Sequence, residues 1–359
     1  METNIETYVE DWEGVKTRYT AWWQADVADR PLLRVTAPRA IPLDTIPPQD
    51  LSVAHEEMRW CDSEFLLRRM QWCLRHQYFG GEALPIGQNP ISSGHALYYG
   101  GAAHFYPYTV TVHPAPVGAD GYPVLGQWND SRWWQLACAQ IQRFVQDCEG
   151  RYFVMPFWGN NAGDTLAVVR GVEQFYLDLY DNSAWVKSAV KQVSDALISV
   201  HETFFEMIAA TGMEGTVNHT GTWASGRTLG VDCDVAVNFS REMFQDYIYP
   251  PLREFMSHAD YNVYHLDGQG QLRHIDLLLA TPELHAIQWV PGAGHEEVSQ
   301  WFPLLQHIQQ HGKSIVVACQ PGEIASVLKH LSPAGLCICT YAQSEDEARK
   351  LVELVGRLT

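Results

Sequence analysis

The sequence predicts an α/β protein, a (β/α)8 TIM barrel with additional N-terminal helices. From about residue 150 onward, short apolar runs alternate with helical segments. That order gives parallel strands joined by helical crossovers. One further run near residue 85 brings the candidate strands to about eight, as a closed barrel requires. No G-x-G-x-x-G follows the first strand, so the competing doubly wound sheet lacks its dinucleotide fingerprint.

Residues 1–80 read as a helical extension packed on the barrel, and residues 81–359 as the barrel itself. In the extension, "YVEDWEGVKTRYTAWW" is amphipathic, "PLLRVTAP" is strand-like between prolines, and "AHEEMRWCDSEFLLRRMQWCLRH" returns to helical spacing. "ALPIGQNP" is a short apolar run ending on turn residues, "YTVTVHPAPV" alternates like an edge strand, and "DSRWWQLACAQIQRFVQDC" is helical. Strand-like runs follow at "RYFVMPFW", "GTVNHTGTW", "VDCDVAVNF", "NVYHLD", "HAIQWV", "KSIVVACQ" and "GLCICTYA". Helical segments intervene, and the Pro250–Pro251 pair is expected to kink or divide the one that holds it. The last helix opens with Ser344 and Glu347 in capping-box spacing.

Composition narrows the function. Hydrophobic residues make up 46% of the 359, enough for a large core, and the formal charge is −18. Such an anionic surface disfavours nucleic acid and acidic membranes, whose recognition relies on Lys and Arg clusters. No apolar stretch approaches the roughly 20 residues of a membrane helix, and no secretory leader is apparent. Eight scattered cysteines without C-x-x-C spacing suit a cytoplasmic protein with reduced thiols.

A parallel barrel carries its active site at the C-terminal strand ends. There the sequence offers Gln88 and Asn89; Trp158, Asn160 and Asn161; His219 and Trp223; Asp232 and Asp234; His265 and Asp267; Trp289; Cys319 and Gln320; and Cys337, Cys339 and Tyr341. His265 and Asp267 are the sharpest pair, because side chains two apart on a strand share a face. They suit either a divalent metal or a general-base histidine oriented by a carboxylate, and as a bland alternative a satisfied buried histidine beside a turn cap. Asp232 and Asp234 also share a face, and close carboxylates raise one pKa and provide a proton donor. Cys337 and Cys339 are either small core residues or a thiolate source. Asn160, Trp158, His219, Trp223, Trp289, Gln320 and Tyr341 are the candidates for substrate binding, the tryptophans through stacking at the mouth. No G-x-S-x-G marks a hydrolase nucleophile.

The order of segments over roughly residues 80–359 resembles the uroporphyrinogen decarboxylase superfamily, which includes cobalamin-linked methyltransferases. The resemblance is carried by "GDTLAVVRGVEQFYLDLYDNSAWV", "NFSREMFQDYIYPPLREF", "VYHLDG" and "GLCICTYAQSEDEARKLVELV". Arg241 stands where the family's S-P-E-x-F motif has proline, and the decarboxylase's Arg-Gln-Ala-Gly-Arg segment is missing. The family's zinc-binding His-x-Cys maps onto His265 and Asp267, and its distant Cys onto Cys339, with Cys337 the neighbouring alternative. The resemblance implies a (β/α)8 barrel and a methyltransferase acting on a small molecule or a corrinoid-bound methyl group. It allows a zinc ion on His265, Asp267 and Cys339, with Asp267 departing from the family's sulfur ligand, and a corrinoid carried by a partner protein. The alternatives are a decarboxylase (lyase) of a tetrapyrrole or other carboxylated molecule, in which Asp267 or Asp234 delivers a proton, and a non-catalytic ligand-binding barrel. The first 80 residues are free to cover the floor, line the pocket or form a homodimer contact.

Overall fold

The computed structural model describes residues 4–88, 91, 94–155 and 161–358. Its strands are β1 (Leu32–Pro38), β2 (Gln77–Gly81), β3 (Ile86–Gln88), β4 (Ala102–Phe105), β5 (Val110–His113), β6 (Phe153–Met155) and β7 (Thr216–Val217). They continue with β8 (Trp223–Ala224), β9 (Thr228–Val231), β10 (Tyr261–Asp267), β11 (Ala286–Val290), β12 (Ser314–Ala318) and β13 (Leu336–Tyr341). Seven form one sheet in the order β2-β1-β13-β12-β11-β10-β9. Every neighbouring pair from β1 to β9 is parallel, and β2 is antiparallel to β1. β3 pairs with β6 in parallel, while β4–β5 and β7–β8 are antiparallel pairs. Among the described residues, no ladder joins these pairs to the seven-stranded sheet.

All the same, strands of the separate pairs share a core with the sheet. Leu32, Phe153, Val217, Val263, Ala286, Val316 and Cys337, drawn from β1, β6, β7 and β10–β13, belong to one buried apolar cluster. Helix α1 (Trp12–Trp23) closes this cluster with Trp12, Val15, Tyr19, Trp22 and Trp23. Asp11 starts the helix by accepting a hydrogen bond from Gly14 N at 3.1 Å, leaving one fewer orphan donor in the first turn. The spacing of those apolar residues puts them on one stripe, and Trp23 Nε1 donates to Trp223 O at 2.8 Å. The helices pack on the opposite face of the sheet in a larger apolar core.

Glu82, fully buried just after β2, holds α1 to the sheet. It accepts from Arg18 Nε at 2.6 Å, from Arg30 Nη1 and Nη2 at 2.9 and 2.8 Å, and from Leu33 N at 2.7 Å. A buried carboxylate survives only with such pairing.

Two boundaries read from the sequence move. The sheet does not begin at residue 81, because β1 comes from "PLLRVTAP" and lies between β2 and β13. Its mostly buried side chains are those of an interior strand, so the first 80 residues supply sheet as well as helix. In the "VDCDVAVNF" region the strand is Thr228–Val231, and Asp234–Asn238 forms a 3₁₀ turn. The reason is local: the amides of Asp234 and Val235 donate to the Asp164 carboxylate at 2.9 and 2.8 Å and so leave the ladder.

Other expectations hold. "YTVTVHPAPV" supplies β5 of an exposed hairpin. A π-helical stretch, Phe244–Ile248, gives way to a helix, Tyr249–Met256, with proline in its first turn, so the proline pair does divide the segment. Glu347 N donates to Ser344 Oγ at 3.2 Å and Glu347 Oε2 accepts from Gln343 N at 2.7 Å, a cap for the final helix, Glu345–Leu358. Among the described residues, no helix is long and apolar enough to cross a membrane.

Candidate active site

Strand alternation decides which side chains face the inner cluster. Val263 belongs to that cluster, so His265 and Asp267 continue its face up β10 toward the C-terminal end. Ala286 does the same for Gln288 on β11, Cys337 for Cys339 on β13, and Leu32 for Arg34 on β1. Register then makes the pairs: His265 lies opposite Gln288, and Cys339 lies between Arg34 and Ala318.

His265 Nδ1 donates to Gln288 Oε1 at 2.7 Å, which leaves Nε2 as the nitrogen able to take a proton. The His219 ring stands 5.8 Å from the His265 ring at 69°. Burial drives the His219 pKa down to about 3, with the charge of His265 acting in the same sense, so it is neutral at pH 7. The ring also lies over Gly230, where an added Cβ would approach Nδ1 to 2.3 Å.

Around the same end lie Asp164, Asp232 and Asp234. Asn161 caps its helix, Ala162–Arg170, by accepting from Asp164 N at 3.0 Å. Its Nδ2 donates to the Asp164 carboxylate and to Asp232 O. Burial, followed by the charge of Asp234, pushes the Asp164 pKa up to about 6. Burial and the charge of Asp164 raise Asp232 well above the usual carboxylate range. Asp234 keeps solvent contact, and the chain crowding its carboxyl raises its pKa, with His265 opposing and Asp267 reinforcing. Asp234, His265 and Asp267 are therefore within electrostatic reach of one another. This end of the sheet holds carboxyls that can carry a proton near neutral pH.

Between the ends of β10–β13 opens a cavity of about 1070 Å³, lined among others by Asp267, Trp289, Cys319, Gln320, Cys339 and Tyr341. A hydrogen bond from Cys337 pulls the Cys339 thiol down to about 6; burial opposes the shift and Arg34 supports it. Cys337 is raised well above the usual thiol range by burial and by its hydrogen bond to Cys339.

The sequence-predicted residues thus separate. His265, Asp267, Asp234 and His219 come together, and Asp267, Trp289, Gln320, Cys339 and Tyr341 border one cavity. Trp289 does so from the outer side, against Trp301 at 4.9 Å. Trp223 is not at the mouth. It is buried beside Trp12 and Tyr19 of α1, at 5.4 and 6.1 Å, with Nε1 donating to Glu214 O, because its strand turns back toward the floor. Asn89, Trp158 and Asn160 lie outside the described residues. Arg34, Gln288 and Asp164 were not anticipated. A charged residue on the inward parity of an apolar strand was the one available signal for Arg34; nothing in the sequence pointed to the other two.

Over most of its length the chain is similar in fold to a methyltransferase from Methanosarcina mazei. The overlap has a TM-score of 0.61 and covers 96% of this chain and 98% of that one, at 12% sequence identity. At that identity the likeness is one of fold. A B12-independent methionine synthase from Shewanella sp. W3-18-1, solved with selenomethionine, overlaps more loosely, with a TM-score of 0.42, 12% identity and 92% and 97% coverage. No protein-family model matches the sequence, and no curated protein does.

The family resemblance implies a zinc set of His265, Asp267 and Cys339. Among the described residues, no three His, Cys, Asp or Glu side chains are grouped to hold a metal ion. His265 engages Gln288 through Nδ1 and keeps Nε2 open, and the Cys339 thiol is shifted toward the thiolate beside Cys337.

Proposed function

We propose that the chain is a closed (β/α)8 barrel enzyme of the methyltransferase type, working at the C-terminal ends of its strands. The observation that carries the proposal is the end-to-end overlap with a methyltransferase, joined to an inner face bearing His265, Asp267 and Cys339 beside a cavity. Barrel closure is supported by the cluster that draws inner residues from β1, β6, β7 and β10–β13.

Methyl transfer needs an acceptor lone pair. As the acceptor attacks the methyl carbon, the bond from that carbon to the donor breaks and its electron pair leaves with the donor. A protonated acceptor, such as a thiol, must first lose its proton. His265 Nε2 takes that proton while Gln288 fixes the ring, and the nearby carboxylates of Asp267 and Asp234 stabilise the imidazolium. The methyl donor is a small molecule or a corrinoid-bound methyl group. The test is transfer from methylcobalamin and from methyl thioethers to a panel of small thiols, together with metal analysis of the purified protein. Turnover that His265→Ala abolishes in a folded protein supports the reading. Absence of transfer from every donor refutes it.

One observation favours a second reading, decarboxylation: three carboxyls with raised pKa values stand together at the mouth. When CO2 leaves, the electron pair of the broken C–C bond stays on carbon, and a protonated Asp164 or Asp232 would quench it. Release of CO2 that Asp164→Asn suppresses would establish this reading over the first.

A further inference from the structure

The interior of the barrel holds a cation without a carboxylate partner. Elsewhere Arg18 and Arg30, both buried, share Glu82, and Arg170 pairs with Asp178 at 2.6 Å. Arg34 makes no ion pair among the described residues. Its Nη1 donates to Thr220 O at 2.5 Å, and its buried Nε has no hydrogen-bond partner. The groups facing it are the thiols of Cys337 and Cys339, the ring of Tyr19, and the Thr220–Gly221 turn.

The guanidinium is also held in place. Position 221 has φ +74°, and a Cβ there would fall 1.9 Å from Arg34 Nη2, so the group lies directly against glycine backbone. β1 is paired on both edges and α1 fills the floor beneath, so the remaining exposure of the half-buried side chain faces the interior. Cys339, its neighbour in register, borders the cavity. A rigid, planar guanidinium whose Nε–H has no partner, and whose close neighbours among the described residues are thiols and no carboxylate, matches a carboxylate in shape and charge.

We propose that Arg34 anchors a carboxylate of the substrate, so that the enzyme acts on a small carboxylic acid whose reacting end extends toward His265. The inference rests on the proposed reading only in taking this interior as the substrate site.

The test uses Cys339 as a reporter and needs no turnover, so its failure and that of the methyl-transfer assay are separable. Chelator-treated protein is alkylated with iodoacetate, which carries a carboxylate, and with neutral iodoacetamide. The thiolate sulfur attacks the methylene carbon, a C–S bond forms, and iodide leaves with the C–I electron pair. Site-resolved mass spectrometry gives the two rates at Cys339. Arg34→Gln changes thiolate content equally for both reagents, so the ratio of rates isolates recognition of the anion. The expected result is a roughly tenfold fall in the iodoacetate-to-iodoacetamide ratio, with Arg34→Lys intermediate, as for loss of one charge-assisted hydrogen-bond pair. An unchanged ratio overturns the proposal. In the wild-type protein, where folding of a variant is not at issue, propionate should slow alkylation by iodoacetamide and propionamide should not. Equal protection, or none, by the two overturns it as well.

Discussion

Replacing Glu82 by Gln removes the charge but not the shape at the junction of α1 and the sheet. Oε1 accepts from Arg18 Nε and Arg30 Nη2, and Oε2 from Arg30 Nη1 and Leu33 N. The glutamine oxygen can serve two of these four donors, while its NH2 would meet the other two donor to donor. Arg18 keeps Asp11 and Asp29 at 3.0 and 3.4 Å, but Arg30 keeps only Pro31 O. Breaking a buried ion pair costs about 3–5 kcal/mol, and an unsatisfied buried donor about 1–3 kcal/mol, so about 4 kcal/mol is expected. At about 2.1 cal/mol/K per residue, the entropy of unfolding at the midpoint is roughly 0.75 kcal/mol/K, which makes the shift in Tm about 5 °C downward. Differential scanning calorimetry measures it. A double-mutant cycle with Arg30→Met should give a coupling of at least ~2 kcal/mol. A Tm within ~1 °C of wild type, or additive effects in the cycle, would show that the cluster is not what fastens α1.

Further outcomes follow from the same geometry. Burial lowers the His201 pKa to about 4, so between its ordinary value of about 6.5 and about 4 the unfolded chain binds the extra proton and acid destabilises the fold. Asp164, raised to about 6, acts oppositely, stabilising the fold as pH falls from about 6 through its ordinary range. Urea unfolding from pH 7 to 4 should therefore lose about 1.4 kcal/mol per pH unit of its acid slope in His201→Phe and gain about as much in Asp164→Asn. An unchanged slope in either variant would refute the assignment. Gly230→Ala drives a Cβ into the His219 ring, and about 1–3 kcal/mol of stability should go together with a disturbed His265 and reduced turnover. Trp223→Phe should lower Tm and leave KM unchanged, since Trp223 packs on α1; a change in KM at constant Tm would put it back at the mouth. Iodoacetamide at pH 7 should label Cys339 ahead of Cys61 and Cys319, whose thiols burial pushes up to about 12.

Local spacing in the sequence determined a good deal. Period-two alternation in "NVYHLD" placed His265 and Asp267 on one face, and helical periodicity marked α1 and the final helix with its Ser344 cap. Those features depend on neighbours a few residues away, where backbone geometry alone dictates direction. Partners far apart in the chain were invisible. Gln288 on His265, Arg34 beside Cys339, Asp164 accepting the amides of Asp234 and Val235, and the reversal that buries Trp223 all depend on register or packing between distant segments. Alternation tells which face a side chain takes, but only the packing of one strand against another sets its height, and height decides which groups share a site.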